Sequence, residues 1–178
     1  MFLQNRAPVK VWLIMIVVAG TCASSLADQH KVVVNPANCA RLSDAERQWL
    51  TSEWQPFLEY TRICAIQSSK RETVVLLASV HVDLYYKAQP GQSVQQVKMP
   101  SPLLLLPSGE VSGSLPYNFP DDPPAELRVT FARWVQGFPR RIELYLTDPR
   151  AAGDRPLSPL IWDERKKKFA SRENGSHD

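Results

Sequence analysis

Residues 127–147 alternate between apolar and polar side chains in two stretches that a short turn separates. This period of two is typical of half-buried strands, so the segment predicts an antiparallel hairpin with a turn of about four residues around Gly137. Two registers keep the apolar faces together, with Phe131 opposite either Ile142 or Leu144. The other face is expected to be solvated, and it carries Arg128, Thr130, Trp134, Arg141, Glu143 and Tyr145.

A helix is predicted to begin at Ser43, which forms the pattern of a capping box with the glutamate three residues later. Pro56 interrupts the pattern, because proline lacks the amide hydrogen and disfavours a helical residue before it. We therefore expect one kinked helix or two short helices ending near Ile66, with Trp49 and Trp54 covering the hairpin. The apolar positions at helical spacing are Ala45, Trp49, Leu50, Trp54, Phe57 and Leu58.

Residues 73–87 predict a second long strand, and residues 74–77 within it are apolar on both faces, as in a central strand. Together these elements predict an α+β domain, in which the kinked N-terminal helix packs on a mostly antiparallel β-sheet of about five to seven strands. A β-sandwich with an added helix is the alternative. Shorter strands are predicted at residues 32–34, 103–106, 110–115, 160–163 and 168–169.

Residues 1–27 have the features of a secretory signal peptide: basic residues, an apolar run and small residues before the cleavage site. The apolar run, residues 11–20, is shorter than the roughly 20 residues that span a bilayer. Cleavage after Ala27 predicts a periplasmic or secreted protein with one domain at 28–170 and a flexible tail at 171–178. An outer-membrane lipoprotein with Cys22 as the lipidated residue is the alternative, although the residues before Cys22 match a lipobox poorly.

Cleavage at this position leaves two cysteines, Cys39 and Cys64, and an even pair in an oxidising compartment predicts a disulfide. A straight helix between the two cysteines would hold them apart, whereas a bond needs Cα atoms within about 7 Å. The predicted kink at Pro56 therefore supports the pairing. Two free buried thiols are the alternative.

The charge of the chain gives no sign of a polyanionic partner. The formal net charge is +3 for the whole sequence, and removal of the predicted signal, which contains Arg6 and Lys10, leaves the mature chain close to neutral. No nucleic-acid partner is therefore predicted, and membrane contact is predicted only if Cys22 is lipidated. The sequence carries no prediction of oligomeric state.

Residues suited to catalysis are sparse. His81 and Asp83 lie two positions apart on the predicted strand, so they would point to the same side as a general base and its orienting carboxylate. The alternative is an ordinary polar outer row that also includes Ser79 and Tyr85. No nucleotide-binding glycine loop is present, and Asp121, Asp122 and Glu126 lack calcium-loop spacing, so no cofactor or metal site is predicted.

A proline-flanked loop at residues 117–124 combines aromatic and acidic side chains, namely Tyr117, Phe119, Asp121 and Asp122. Rigid loops lose little entropy on binding and aromatics are frequent interface anchors, so this loop is the predicted partner-binding site. Alternatively, Tyr117 and Phe119 fold inward and cap the sheet.

The sequence thus predicts a non-catalytic exported envelope protein, either an accessory subunit of a larger assembly or an inhibitor of another secreted protein. In either role its partner is a protein of the cell envelope. One alternative is a small hydrolase that uses His81 and Asp83. Another is a periplasmic lipid or small-molecule carrier with a cavity lined by Trp49, Trp54 and the hairpin.

Overall fold

The structure, a computed structural model, describes residues 30–89, 97–118, 126–148, 150 and 153–171. The predicted signal peptide, Cys22 and the loop residues Phe119, Asp121 and Asp122 lie outside these ranges. The helices are α1 (Asp44–Arg47), α2 (Val82–Ala88) and two 3₁₀ helices, Pro36–Asn38 and Ser52–Tyr60. The strands are β1 (Val32–Val33), β2 (Ala40–Arg41), β3 (Thr61–Gln67), β4 (Thr73–Val80), β5 (Leu103–Leu105), β6 (Val111–Ser114), β7 (Glu126–Val135), β8 (Phe138–Thr147), β9 (Asp154–Pro156), β10 (Leu160–Asp163) and β11 (Lys168–Ser171).

These strands form two antiparallel sheets that share one hydrophobic core. The first sheet has the order β1-β7-β8-β10-β11, with β9 also paired to β8, and the second has the order β2-β3-β4-β5-β6. Side chains from both sheets, including Leu77, Leu104, Phe131 and Ile142, make up the buried cluster between them. Because both sheets are antiparallel, the predicted mostly antiparallel sheet structure is confirmed. The two sheets pack on a shared core in a sandwich-like arrangement.

A second buried cluster lies on the other face of the β2–β6 sheet. Trp54 and Phe57 of the longer 3₁₀ helix and Tyr85 of α2 pack there against alternate residues of β3 and β4. Strand β4 therefore lies between two apolar layers, and its residues from Val75 to Val80 are all buried. This confirms the prediction of a central strand that is apolar on both faces.

The predicted hairpin is β7 and β8, and its register pairs Phe131 with Ile142, the first of the two predicted registers. The turn is shorter than predicted, because pairing continues to Val135 and Phe138 and leaves only Gln136 and Gly137 between the strands. Both turn residues have positive φ, 52° and 76°, as a type I′ turn requires.

Two residues contradict the prediction of a solvated outer face: Thr130, which is 6 % exposed, and Trp134. The side chain of Trp134 is 3 % exposed and belongs to the core between the sheets. Arg133, the residue before it, has a φ of 52°, and this left-handed conformation breaks the strict alternation of the strand. Trp134 thus reaches the same core as Phe131, whose carbonyl oxygen accepts a hydrogen bond from its indole N–H at 3.3 Å.

The predicted kinked helix is wrong in extent. The capping box at Ser43 is present, with the Ser43 amide donating to Glu46 at 2.7 Å, but α1 ends after one turn at Arg47. The following apolar stretch is a 3₁₀ helix that contains Pro56, and residues from Thr61 onward form β3. Trp54 accordingly covers the β2–β6 sheet and not the hairpin. Trp49 packs against the same cluster.

The predicted strand at residues 73–87 is correct only as far as Val80. His81 then precedes α2, in which Tyr85 is buried. Its ring packs against Phe57 and Tyr60, with centroid distances of 5.4 and 5.2 Å. This aromatic contact with the 3₁₀ helix overrides the strand-like alternation of the local sequence.

The predicted disulfide between Cys39 and Cys64 is confirmed, with Cα atoms 4.4 Å apart. Cys39 directly precedes β2, which pairs with β3 so that Ala40 lies opposite Ile63. Extending that register by one position places Cys39 opposite Cys64. The chain reversal between them therefore comes from the return of β3 beside β2.

The shorter predicted strands are also confirmed. Strand β1 lies at the edge of its sheet, β5 pairs with β6, and β10 pairs with β11. Strand β11 ends at Ser171, the first residue of the predicted tail. Among the residues described, no helix has the length and apolar character needed to cross a membrane.

Candidate functional site

A cavity of about 670 Å³ lies where β6 of one sheet meets β11 of the other. We call it the seam groove. Its lining includes serines and Lys168, but apolar side chains predominate: Leu103, Leu115, Leu144, Leu157, Leu160 and Phe169. Ligand sites commonly have this size and this mixture of an apolar lining with a few polar groups.

The two strands that border the seam groove are outer strands of their sheets. They approach closely at Gly113, where a Cβ atom would lie 3.0 Å from the carbonyl oxygen of Phe169. Any larger residue at this position would push β6 away from β11. The shape of the groove therefore depends on glycine at position 113.

Tyr117 lines the seam groove and is 39 % exposed, and Val111 lines it and is 40 % exposed. The backbone next to Tyr117 is held by Asn118, whose side-chain amide nitrogen donates to the Pro100 carbonyl at 3.0 Å. The Ser79 hydroxyl donates to the amide oxygen of Asn118 at 3.4 Å. These contacts fix the backbone that presents Tyr117, and they leave its ring accessible.

A second cavity of about 630 Å³, which we call the histidine pocket, lies at one end of the hairpin. Glu126 and Arg128 of β7 and Thr147 of β8 line it, together with His81 and Asp83 at the start of α2. Residues 33–37 complete the lining. The structure thus brings His81 and Asp83 to one cavity. They reach it from the start of α2 and not from one face of a strand, as the sequence predicted.

His81 is 8 % exposed, and its Nε2 atom is shielded from solvent and has no hydrogen-bond partner. Its backbone N–H donates a hydrogen bond of 2.9 Å to the Tyr60 carbonyl oxygen, which fixes the backbone at this position. Ser79 and Tyr85 are buried as well, so the alternative of an exposed polar row is wrong. A buried polar atom without a partner is uncommon and requires an explanation.

Burial lowers the pKa of His81 below its ordinary value of 6.5, and the positive charge of Arg62 lowers it further. The carboxylate of Asp83 acts in the opposite direction but is the weakest of the three influences. The imidazole is therefore held neutral at pH 7, with one nitrogen available as an acceptor. Asp83 itself pairs with Lys87 at 3.8 Å through one oxygen, while its Oδ1 is buried without a partner.

Within the described ranges, no three His, Cys, Asp or Glu side chains are close enough together to hold a metal ion. Trp49 and Trp54, which the sequence places in a carrier cavity, line neither the seam groove nor the histidine pocket. The sequence reasoning missed the groove residues at 157–160 and 168–171. Their only local signal is the short apolar pattern of the last hairpin.

Comparison of the chain with protein-family models, with curated proteins and with solved structures found no match. The function is therefore inferred from the two cavities and the disulfide.

Proposed function

We propose that the protein is an exported, non-catalytic binding protein of the cell envelope that holds an apolar segment of a partner protein in the seam groove. It serves either as an accessory subunit of a larger assembly or as an inhibitor of another secreted protein. The observation that carries this proposal is the open apolar groove between β6 and β11, with Tyr117 accessible at it.

Two accessible apolar side chains at the groove support a protein partner. Tyr117 and Val111 are among the large apolar residues with substantial exposure in the described part of the chain. Tyrosine is a frequent interface anchor, since it offers a large contact area with only two side-chain torsions to immobilise. Because Asn118 holds the adjoining backbone, little further ordering is needed when a partner binds.

The disulfide supports export. Disulfides form and persist in oxidising compartments such as the bacterial periplasm and the cell exterior. The bond between Cys39 and Cys64 is consistent with the predicted removal of a signal peptide and with a periplasmic or secreted location.

Site-specific cross-linking in living cells tests this proposal. A photoreactive phenylalanine analogue in place of Tyr117 or Val111 is expected to capture one discrete envelope protein. The same analogue in place of Val135, which is 48 % exposed at the far end of the hairpin and outside the groove, is the matched control. Equal capture from position 135, or none from 111 and 117, would contradict the proposal.

Binding of the purified, identified partner then provides a quantitative test. The double variant Val111→Ser with Tyr117→Ala is expected to weaken binding by about 2–4 kcal/mol, as for two interface anchors. Its melting temperature should stay within a few degrees of the wild type, because both side chains are already exposed. An early melt would show that Tyr117 caps the core, and the loop would then have no direct role in binding.

The apolar lining of the seam groove also favours the carrier alternative. Native mass spectrometry of protein purified from its own envelope distinguishes the two functions, because a carrier retains a lipid or other apolar small molecule. The hydrolase alternative receives less support. Among the described residues, those lining the histidine pocket include no serine or cysteine, and the Thr147 hydroxyl donates to Asp154 at 2.8 Å.

A further inference from the structure

The histidine pocket offers two buried side-chain atoms that have no hydrogen-bond partner in the described structure. They are Nε2 of His81 and Oδ1 of Asp83. A carboxylate oxygen only accepts hydrogen bonds, so the group that satisfies Asp83 must be a donor. In the neutral tautomer that carries its hydrogen on Nδ1, the Nε2 atom of His81 accepts from the same kind of group. The complement of this pair is therefore a group with several donors.

The charged side chains that line the pocket sum to one negative charge; Arg62, whose positive charge also acts on His81, lies outside the lining and donates to two backbone carbonyls. Asp83 and Glu126 are acidic, whereas Arg128 is the basic residue of the lining. The Arg128 guanidinium is already engaged, since it pairs with Asp154 and lies 5.1 Å from the centre of the Tyr145 ring. An anionic ligand would meet two carboxylates and no unengaged cation among these lining residues.

The rest of the pocket suits a short hydrocarbon chain. Val34 and Leu127 are buried and line it, and Pro36 adds a rigid apolar surface. With a volume of about 630 Å³ the pocket falls in the range of small-molecule sites.

We propose that the histidine pocket is a second binding site, which takes a small molecule with an ammonium group on a short apolar chain, the ammonium donating to Asp83 and His81. This site is separate from the seam groove and does not depend on the function proposed for the groove. Hydrogen bonds between an ammonium and a carboxylate are charge-assisted, so the carboxylate of Asp83 provides most of the selectivity.

Three probes of equal length test the chemistry: butylamine, butan-1-ol and butyrate. Each is titrated into the full, folded protein labelled with ¹⁵N at histidine, and the Nε2 signal of His81 is assigned with the variant His81→Gln. Butylamine is expected to shift this signal in a saturable manner. Butan-1-ol and butyrate are expected to bind with an affinity at least about tenfold lower, measured from the same signal, since neither provides a charged donor.

Two variants separate the carboxylate from the ion pair. Asp83→Asn is expected to weaken butylamine binding at least about tenfold. Lys87→Gln removes the same ion pair with Asp83 but keeps the carboxylate, so it should change the affinity by less than about twofold. Glu110→Gln, which removes an exposed carboxylate outside the pocket, controls for net charge.

The proposal is overturned if butylamine leaves the His81 signal unchanged or if butan-1-ol or butyrate binds as tightly. Equal weakening by Asp83→Asn and Lys87→Gln would overturn it as well, because the effect would then come from the ion pair on α2.

Discussion

Reduction of the bond between Cys39 and Cys64 is expected to lower the free energy of unfolding by about 3.5 kcal/mol at 25 °C. This value follows from the loop-entropy relation for a separation of 25 residues, because the cross-link restricts the unfolded chain. Small domains are stable by only about 5–15 kcal/mol, so the bond would account for a large part of the total.

The double variant Cys39→Ala with Cys64→Ala is expected to lose slightly more. Cys64 is buried in the core between the sheets, and alanine leaves a small unfilled space there. By analogy with the loss of one buried methyl group, this adds about 1 kcal/mol. Wild-type protein under a reducing agent keeps both sulfur atoms, so it isolates the effect of the cross-link.

Urea unfolding followed by tryptophan fluorescence measures both quantities, because Trp54 and Trp134 are buried in the two separate clusters. With an ordinary urea dependence of about 1–3 kcal/mol per M, the midpoint should fall by roughly 1–3 M on reduction. The double variant serves as the control, since a reducing agent should leave its midpoint unchanged.

A change below about 1 kcal/mol on reduction would refute this reasoning. It would mean that the unfolded chain already holds positions 39 and 64 close together, or that the bond does not form in the folded protein. Peptide mapping without reduction distinguishes these two explanations.

Substitutions at four further positions test separate features of the fold. Trp134→Ala should cost about 3–5 kcal/mol by urea unfolding, and a cost below 1 kcal/mol would place this ring outside the core. Gly137→Ala should cost about 1–2 kcal/mol through strain at a φ of 76°, so unchanged stability would contradict the type I′ turn. Ser43→Ala should cost about 1 kcal/mol through loss of the cap, whereas Ser43→Asp should retain most of it. His81→Gln should flatten the acid side of the stability profile: because the folded-state pKa is lowered, protons favour the unfolded state, and the wild type loses stability as pH falls below about 6.5. Parallel profiles for the two proteins would contradict that assignment.

Features that depend on near neighbours could be predicted from the sequence alone. The alternation in residues 127–147 determined the hairpin and its face, since a slip by one position would expose every apolar residue in a strand. The capping box at Ser43 needs only residues within one turn. The disulfide followed from an even number of cysteines after the predicted cleavage, even though the predicted route between Cys39 and Cys64 was wrong.

Some segments have a local sequence that is compatible with both a helix and a strand, and there only the tertiary structure determined which one forms. Residues 61–66 continue an apolar pattern compatible with a helix, but they form a strand. In a strand the neighbouring residues Ile63 and Cys64 are buried in the two clusters on opposite faces of the sheet. Beyond Val80 the reverse happens, and burial of Tyr85 against the 3₁₀ helix favours α2 over a longer strand. At Trp134 a single positive φ at Arg133 moves a large ring from the solvent face to the core.

The two cavities belong entirely to the tertiary structure. The seam groove joins Leu103, Tyr117, Leu157 and Phe169, which lie on separate segments and have no common periodicity. In the histidine pocket, His81 meets the end of a hairpin that begins 45 residues later, at Glu126. Local patterns determine which face of a strand is buried, because that choice depends on adjacent residues. Which faces and edges finally meet depends on how the sheets pack, and that packing creates both candidate sites.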